Sequence, residues 1–287
     1  MRLNYRSIFI SDVHLGTPDC QAEYLLDFLK STRCDFLYLV GDIVDMQAMS
    51  QRSRWPRAHR EVLSELFAIA SHGTRVTYIP GNHDAPLRML DGKRLGDIQV
   101  RVEAVHVGAD GKRYRISHGD EFDPQQLGRT WLEWIGDYGH RTLSLLNRTL
   151  AGLRRRIGHT YLPLAIIAKT RLSAAMAYID AYERRVAAAC ERDGFDGLVC
   201  GHIHYGNMRH IGNVLYLNDG DWVEHCTALV ETDEGIMQLL HWSEERAALA
   251  HAGPEGLVAA AHVPLALLPL ARSATPLPPA HIDTTSP

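Results

Sequence analysis

Five short polar clusters in this chain could do chemistry together: Asp12-Val13-His14, Gly41-Asp42, Gly81-Asn82-His83-Asp84, His118-Gly119-Asp120 and Gly201-His202-Ile203-His204. Asp12, His14, Asp42, Asn82, His118, His202 and His204 are residue types that ligate metals through nitrogen or oxygen, and no cysteine stands among them. A mixed set of this kind suits manganese, iron or zinc better than calcium, magnesium or an iron–sulfur cluster. Seven ligands exceed one tetrahedral site, so two divalent ions sharing a carboxylate are the economical arrangement, and Asp42, alone on its loop, is the natural bridge. Taken singly, each residue has a plainer use: Asp12 as a cap or turn carboxylate, His14 on the surface, Asn82 in a turn, His118 as a satisfied interior histidine.

Joint placement is what favours the site. Apolar runs at Ser7–Ile10, Phe36–Val40 and Val76–Ile79 read as buried strands. Gln21–Ser31 and Ala58–Ser71, the second with Pro56 near its start, read as the helices between them. Repeated βαβ units predict an α/β fold with a mostly parallel sheet core. Ile98–Val107, Arg113–Ile116, Gly197–Val199, Val214–Leu217, Thr227–Val230 and Ile236–Leu240 are further strand candidates. Each polar cluster follows one of these strands, and ligands of parallel sheets bind at the carboxyl ends. The D-x-H and H-x-H spacings would put both side chains of each pair on one side of an extended segment, with Val13 and Ile203 turned into packing.

The bulk composition is that of an ordinary globular protein, with 46% apolar and 22% charged residues in 287. A net charge of −4 argues against a nucleic-acid binder. Five cysteines without tight spacing indicate neither a disulfide framework nor a thiolate zinc site and fit a reducing cytoplasm. The only apolar run near the start is Ile8-Phe9-Ile10, too short for a signal peptide, and no run reaches transmembrane length, so the expectation is a cytoplasmic chain. No G-x-G-x-x-G follows the first strand, which excludes a Rossmann-type dinucleotide site.

In this order, DVH, GD, GNHD, HGD and GHIH resemble the five blocks of the calcineurin-like metallophosphoesterase family. The resemblance implies a β-sandwich flanked by helices. One metal would take Asp12, His14 and His204 and the other Asn82, His118 and His202, with Asp42 bridging. His83 would match the histidine that contacts the scissile phosphate and assists the leaving group. Paired ions about 4 Å apart lower the pKa of a bridging water and spread charge in an in-line displacement. Asp84 is expected to orient the His83 ring, and Asp120 to support the site, as carboxylates do for working histidines.

Residues 122–193 read as a helical insertion with eleven Lys+Arg against seven Asp+Glu, including Arg154-Arg155-Arg156, among apolar helix positions. Basic and apolar groups beside a phosphate site suit an amphiphilic substrate or peripheral contact with an anionic membrane. This layout, over roughly residues 5–245, resembles the UDP-2,3-diacylglucosamine diphosphatases of lipid A biosynthesis, down to GDWVEHCTALVE at Gly220–Glu231. That likeness implies attack at the α-phosphorus, releasing UMP and a lipid phosphate. One departure is His83, where the best-known members carry arginine; a sister branch acting on another phosphoester is the alternative. A scaffold that has lost catalysis would show gaps in the ligand set, and none is missing. Arg52, Arg54 and Arg88 are further phosphate-contact candidates, with surface solvation as the plainer use. The Ala- and Pro-rich tail from about Ala247 to Pro287 is expected to be unstructured.

Overall fold

The computed structural model describes residues 2–50, 55–123 and 173–245. Most of the expected insertion, the tail from residue 247, and Arg52 and Arg54 lie outside the described residues.

Two sheets lie face to face. The first orders seven strands as β12-β11-β1-β2-β3-β5-β4: β1 is Leu3–Ile10, β2 Thr32–Val40, β3 Arg75–Ile79, β4 Arg94–Leu95, β5 Ile98–Val100, β11 Thr227–Glu231 and β12 Met237–His241. The second orders five as β6-β7-β8-β10-β9: β6 is Ala104–Val107, β7 Arg113–Ile116, β8 Gly197–Cys200, β9 Asn207–Ile211 and β10 Val214–Asn218. Pairing is parallel in the middle, along β1-β2-β3-β5 and β7-β8-β10, and antiparallel toward the edges. The expected parallel core is therefore present, with antiparallel borders. Ile98–Val107, a single strand candidate by sequence, divides at residues 101–103 and sends β5 to one sheet and β6 to the other.

The period-2 alternation of side chains explains the layers. In β1, Phe9 points between the sheets with Tyr38, Ile79, Tyr114, Ile116, Val199 and Leu217. Its neighbours Ile8 and Ile10 face the other way, toward α1 (Ala22–Ser31) and α3 (Arg57–Ser71). A strand apolar on both faces belongs in the middle of a covered sheet. Helix α1 turns Ala22, Leu25, Phe28 and Leu29 inward, spacings that lie on one helical face. Phe28 is fully buried against Trp222 and Trp242, worth roughly 1.5–3 kcal/mol of transfer free energy. A short α2, Met46–Ser50, lies between β2 and α3. Helix α4, Ser173–Arg192, the described part of the expected helical insertion, lays Tyr182, Val186 and Cys190 on the outer face of the second sheet against Leu198, Val214 and Tyr216. The result is the expected β-sandwich flanked by helices. Among the described residues no helix is long and apolar enough to cross a membrane.

Candidate metal centre

The loops after β1, β2, β3, β7 and β8 meet at one end of the sandwich, and all seven sequence-selected ligand residues come together there. Asp12, His14 and His204 offer ligand atoms within 4.8 Å of one another, as do Asp12, Asp42 and His118. Asn82 Oδ1 lies 3.2 Å from both His118 Nε2 and His202 Nδ1. Asp42 Oδ2 stands between the two groups, 3.9 Å from His14 Nε2 and 3.4 Å from His118 Nε2.

The backbone reaches this arrangement by a route the sequence did not suggest. Asp12, His14, Asp42, His202 and His204 have φ of 49°, 51°, 53°, 71° and 52°, in the left-handed region rather than the extended one. A non-glycine residue held there stores about 1–3 kcal/mol, a strain that collects at functional sites. The curl lets Val13 N–H and His14 N–H both donate to Asp42 C=O, at 3.0 and 2.9 Å, locking the first loop to the second. Val13 is buried in the core and Ile203 packs against the α4 cluster, as their spacing predicts. Gly41, at φ +88°, passes directly under the His118 ring, where any Cβ would collide with it.

Each histidine is aimed by a partner on its other nitrogen, which fixes the ring and the tautomer. His118 Nδ1–H donates to Val40 C=O at 2.9 Å, leaving Nε2 for the pocket. His202 Nε2 is 3.0 Å from Asp123 Oδ2, so Nδ1 faces Asn82. His204 Nδ1 is 3.4 Å from Asp221 Oδ2, and Nε2 faces Asp12 Oδ1 at 3.2 Å. Asp221 is itself anchored by the backbone N–H groups of Val223, Glu224 and His225 and by the His225 ring.

His83 sits beside His14, ring centroids 4.6 Å apart, with Nδ1 2.9 Å from Asp45 Oδ2. The hydrogen bond to Asp45 raises the His83 pKa against the opposing effect of burial. The expectation for Asp84 is therefore corrected: Asp45 orients this ring. Asp84 turns inward and accepts from Gly81 N–H at 2.5 Å, Ile43 N–H at 3.0 Å and the Tyr78 hydroxyl, tying the second and third loops together. The Asp84 carboxylate suits that place because three orphan donors converge on it. Asp120 grips Arg88, the phosphate-contact candidate that lies among the described residues, through both oxygens at 2.7 Å.

A divalent cation fits this donor set. Asp12 Oδ1 is buried and accepts no hydrogen bond among the described residues, and two ring nitrogens, His14 Nε2 and His204 Nε2, face each other at 3.4 Å. Burial alone would lower the His118 pKa, but Asp42 and Asp12 hold it up at about 10. Burial alone would raise Asp42, yet His118 and His14 keep it well below the usual carboxylate range. The carboxylates thus favour positive charge at His118, and the rings keep Asp42 ionised, the form in which a carboxylate binds a cation.

Sequence reasoning missed Asp45, Asp123, Asp221 and the buried His59, whose Nδ1 accepts from Gly16 N–H at 3.0 Å. Asp45 had a signal, as a carboxylate one turn beyond Asp42. Asp123 and Asp221 are ordinary loop acids in sequence and gain meaning only where they meet the rings.

A UDP-2,3-diacylglucosamine hydrolase of Edwardsiella ictaluri is 25% identical over 227 residues, 75% of this chain and 80% of that protein. One from Escherichia coli O7:K1 is 24% identical over 210 residues, 69% and 81%. The namesake from Porphyromonas gingivalis is 30% identical over 120 residues, but the match spans only 45% of that protein. Among solved structures, hypothetical protein PH1004 from Pyrococcus horikoshii aligns over 89% of this chain and 97% of its own at 13% identity and a TM-score of 0.44. The phosphoesterase Yfce from E. coli aligns over 82% and 98% at 15% identity and a TM-score of 0.39. Residues 5–206 match the description of the calcineurin-like phosphoesterases, more than half of the chain, and the protein belongs to that family of metal-dependent phosphoester hydrolases.

Proposed function

We propose that this hydrolase cleaves the pyrophosphate of UDP-2,3-diacylglucosamine or a similar amphiphilic nucleotide, releasing UMP and a lipid phosphate. The observation that carries the substrate is the run of likeness to proteins named for that reaction over three quarters of the chain. In this reading Asp12, His14 and His204 would hold one divalent ion and Asn82, His118 and His202 a second, with Asp42 shared between them. Manganese suits this oxygen and nitrogen set, with iron or zinc as substitutes. When bound, the ions supply the Lewis acidity that activates water and balances charge on the phosphate oxygens.

The remaining work falls to side chains. Asp45 accepts a hydrogen bond from His83 Nδ1–H, so a protonated His83 presents Nε2–H to the departing oxygen. The carboxylate neighbour favours that imidazolium, the direction in which the His83 pKa is moved. Asp123, Asp221 and the Val40 carbonyl keep the other rings from turning. The basic and apolar composition of the insertion suits acyl chains and an anionic membrane met from the cytoplasmic side.

His83 also favours a second reading. With a histidine and a carboxylate in place where the best-known lipid A diphosphatases have arginine, a phosphodiesterase or phosphatase of another substrate would use the same centre. The deciding experiment is hydrolysis by the purified chain with manganese of UDP-2,3-diacylglucosamine beside a panel of nucleotides and phosphomonoesters. Release of UMP from the lipid nucleotide supports the first reading. Turnover confined to the panel removes it and leaves the second.

A further inference from the structure

Ser11, at the end of β1, is wedged between two carboxylates. Its Oγ lies 2.6 Å from Asp12 Oδ2 and 2.6 Å from Asp219 Oδ1, with a longer contact of 3.3 Å to Gly220 C=O. All three side chains are buried: Ser11 is 1% exposed, and Asp12 and Asp219 are at 0%. A hydroxyl carries one proton and can donate it once. Two oxygens at 2.6 Å on either side of it are both at the length of strong O–H···O bonds. Ser11 satisfies one, so the other needs a proton that belongs to a carboxyl group.

The surroundings say which one. Asp12 Oδ2 also accepts His202 N–H at 2.9 Å, and Asp12 Oδ1 is 3.2 Å from His204 Nε2 and 3.9 Å from His14 Nε2. Asp219 has no such company. Among the described residues its Oδ2 has no hydrogen-bond partner and no Lys or Arg pairs with it. An ionised carboxylate without a partner at zero exposure is far costlier than a neutral acid with one idle carbonyl. Burial accordingly pushes the Asp219 pKa well above the carboxylate range.

We propose that Asp219 is a positioning residue of the metal centre: as a neutral acid it donates to Ser11 Oγ, Ser11 donates to Asp12 Oδ2, and Asp12 is left to offer a single oxygen, Oδ1, to the cation. The idea rests on reading Asp12 as a metal ligand. The hydrogen-bond order follows from proton count alone, since with Asp219 supplying one proton Ser11 must send its own toward Asp12. Two donors, Ser11 O–H and His202 N–H, then occupy Oδ2, which prevents Asp12 from swinging to chelate through both oxygens. The same loop carries Asp221 two residues on, against His204, so Asn218–Asp221 braces two neighbouring ligands at once. None of the five family-like blocks contains Ser11 or Asp219.

Two measurements on the full-length chain test this. Infrared difference spectra of wild type against Asp219→Asn, metal-free and again with manganese, should show the carbonyl stretch of a protonated carboxylic acid at neutral pH in wild type only. Manganese titration calorimetry should show Ser11→Ala weakened about tenfold or more, the usual penalty for losing a residue behind a ligand. Asp219→Asn, whose amide N–H can replace the acid O–H, should stay within about threefold of wild type. No acid band that vanishes in Asp219→Asn, or a loss of manganese affinity in that variant as large as in Ser11→Ala, would overturn the proposal. A wild-type chain that binds no manganese would overturn the reading of the site itself, and the positioning role with it, whatever the infrared band shows.

Discussion

Replacing Asp45 by asparagine should slow catalysis in proportion to how badly the leaving oxygen needs a proton. The Asp45 carboxylate is 2.9 Å from His83 Nδ1, and its side chain is only 8% exposed, so the contact is a charge-assisted hydrogen bond with little screening. Such bonds contribute about 1.5–3 kcal/mol. An asparagine oxygen still accepts from Nδ1 but brings no charge, and the His83 ring is about one third exposed, so the expected loss in kcat lies toward the lower part of that range, roughly 10- to 40-fold. The assay compares diphenyl phosphate with bis-p-nitrophenyl phosphate at saturating manganese, which removes any effect of the weaker 3.5 Å contact between Asp45 and His14. Phenolate is the more basic leaving group and gains more from a proton donor, so the loss should be larger with the phenyl ester. In a His83→Ala background the Asp45→Asn change should add almost nothing, because the two residues act as one unit. Equal losses with both esters, or full additivity with His83→Ala, would refute the assignment of His83 as acid and Asp45 as its holder.

Other consequences can be checked independently. Glu231 is buried with Arg6 at 2.9 Å, His106 at 2.7 Å, Ser7 at 2.7 Å and Ala109 N–H at 2.7 Å. Burial works against its charge, but the hydrogen bonds from His106, Ala109 and Ser7 hold its pKa at about 2, down from 4.5, which corresponds to roughly 3 kcal/mol of stability. The folded value lies below the unfolded one, so this stability is present above about pH 4.5 and is lost as pH falls toward 2. Urea unfolding should find Glu231→Gln weaker by about that amount at pH 7, with the gap narrowing at pH 3; a gap independent of pH would count against it. Gly41→Ala would thrust a methyl into the His118 ring from a backbone at φ +88°, so it should lose manganese binding and more than about 3 kcal/mol of stability, both read by calorimetry. Asp42→Asn removes the shared negative charge and should abolish binding of at least one manganese per chain, counted by titration, while leaving the circular dichroism spectrum unchanged.

Much of the site was legible because its candidate ligands sit at strand ends. Short apolar runs and turn signals located β1, β2, β3, β7 and β8, and the general rule that parallel strands deliver side chains at their carboxyl edge did the rest. The conformation of those ends was not legible. Asp12, His14, His202 and His204 reach the same side through left-handed backbone, which Asp and His adopt more often than most residues but still too rarely for residue type to announce it. The supporting acids were obscure for a different reason. Asp84 follows His83 directly in sequence, yet consecutive residues point apart, and the carboxylate that meets the ring is Asp45, 38 residues earlier. Asp123, Asp219 and Asp221 likewise take their roles from contacts across 79, 208 and 17 residues of chain. Strand β9 escaped notice because its residues, Asn207–Ile211, are only partly buried on an edge and show no apolar run.

The most direct test is a manganese-soaked crystal of the full chain with anomalous scattering recorded at the manganese edge. Two peaks about 4 Å apart, with Asp42 touching both, are the predicted outcome. A single ion, or ions held by other side chains while Asp12, Asn82 and His202 stay apart, would contradict it.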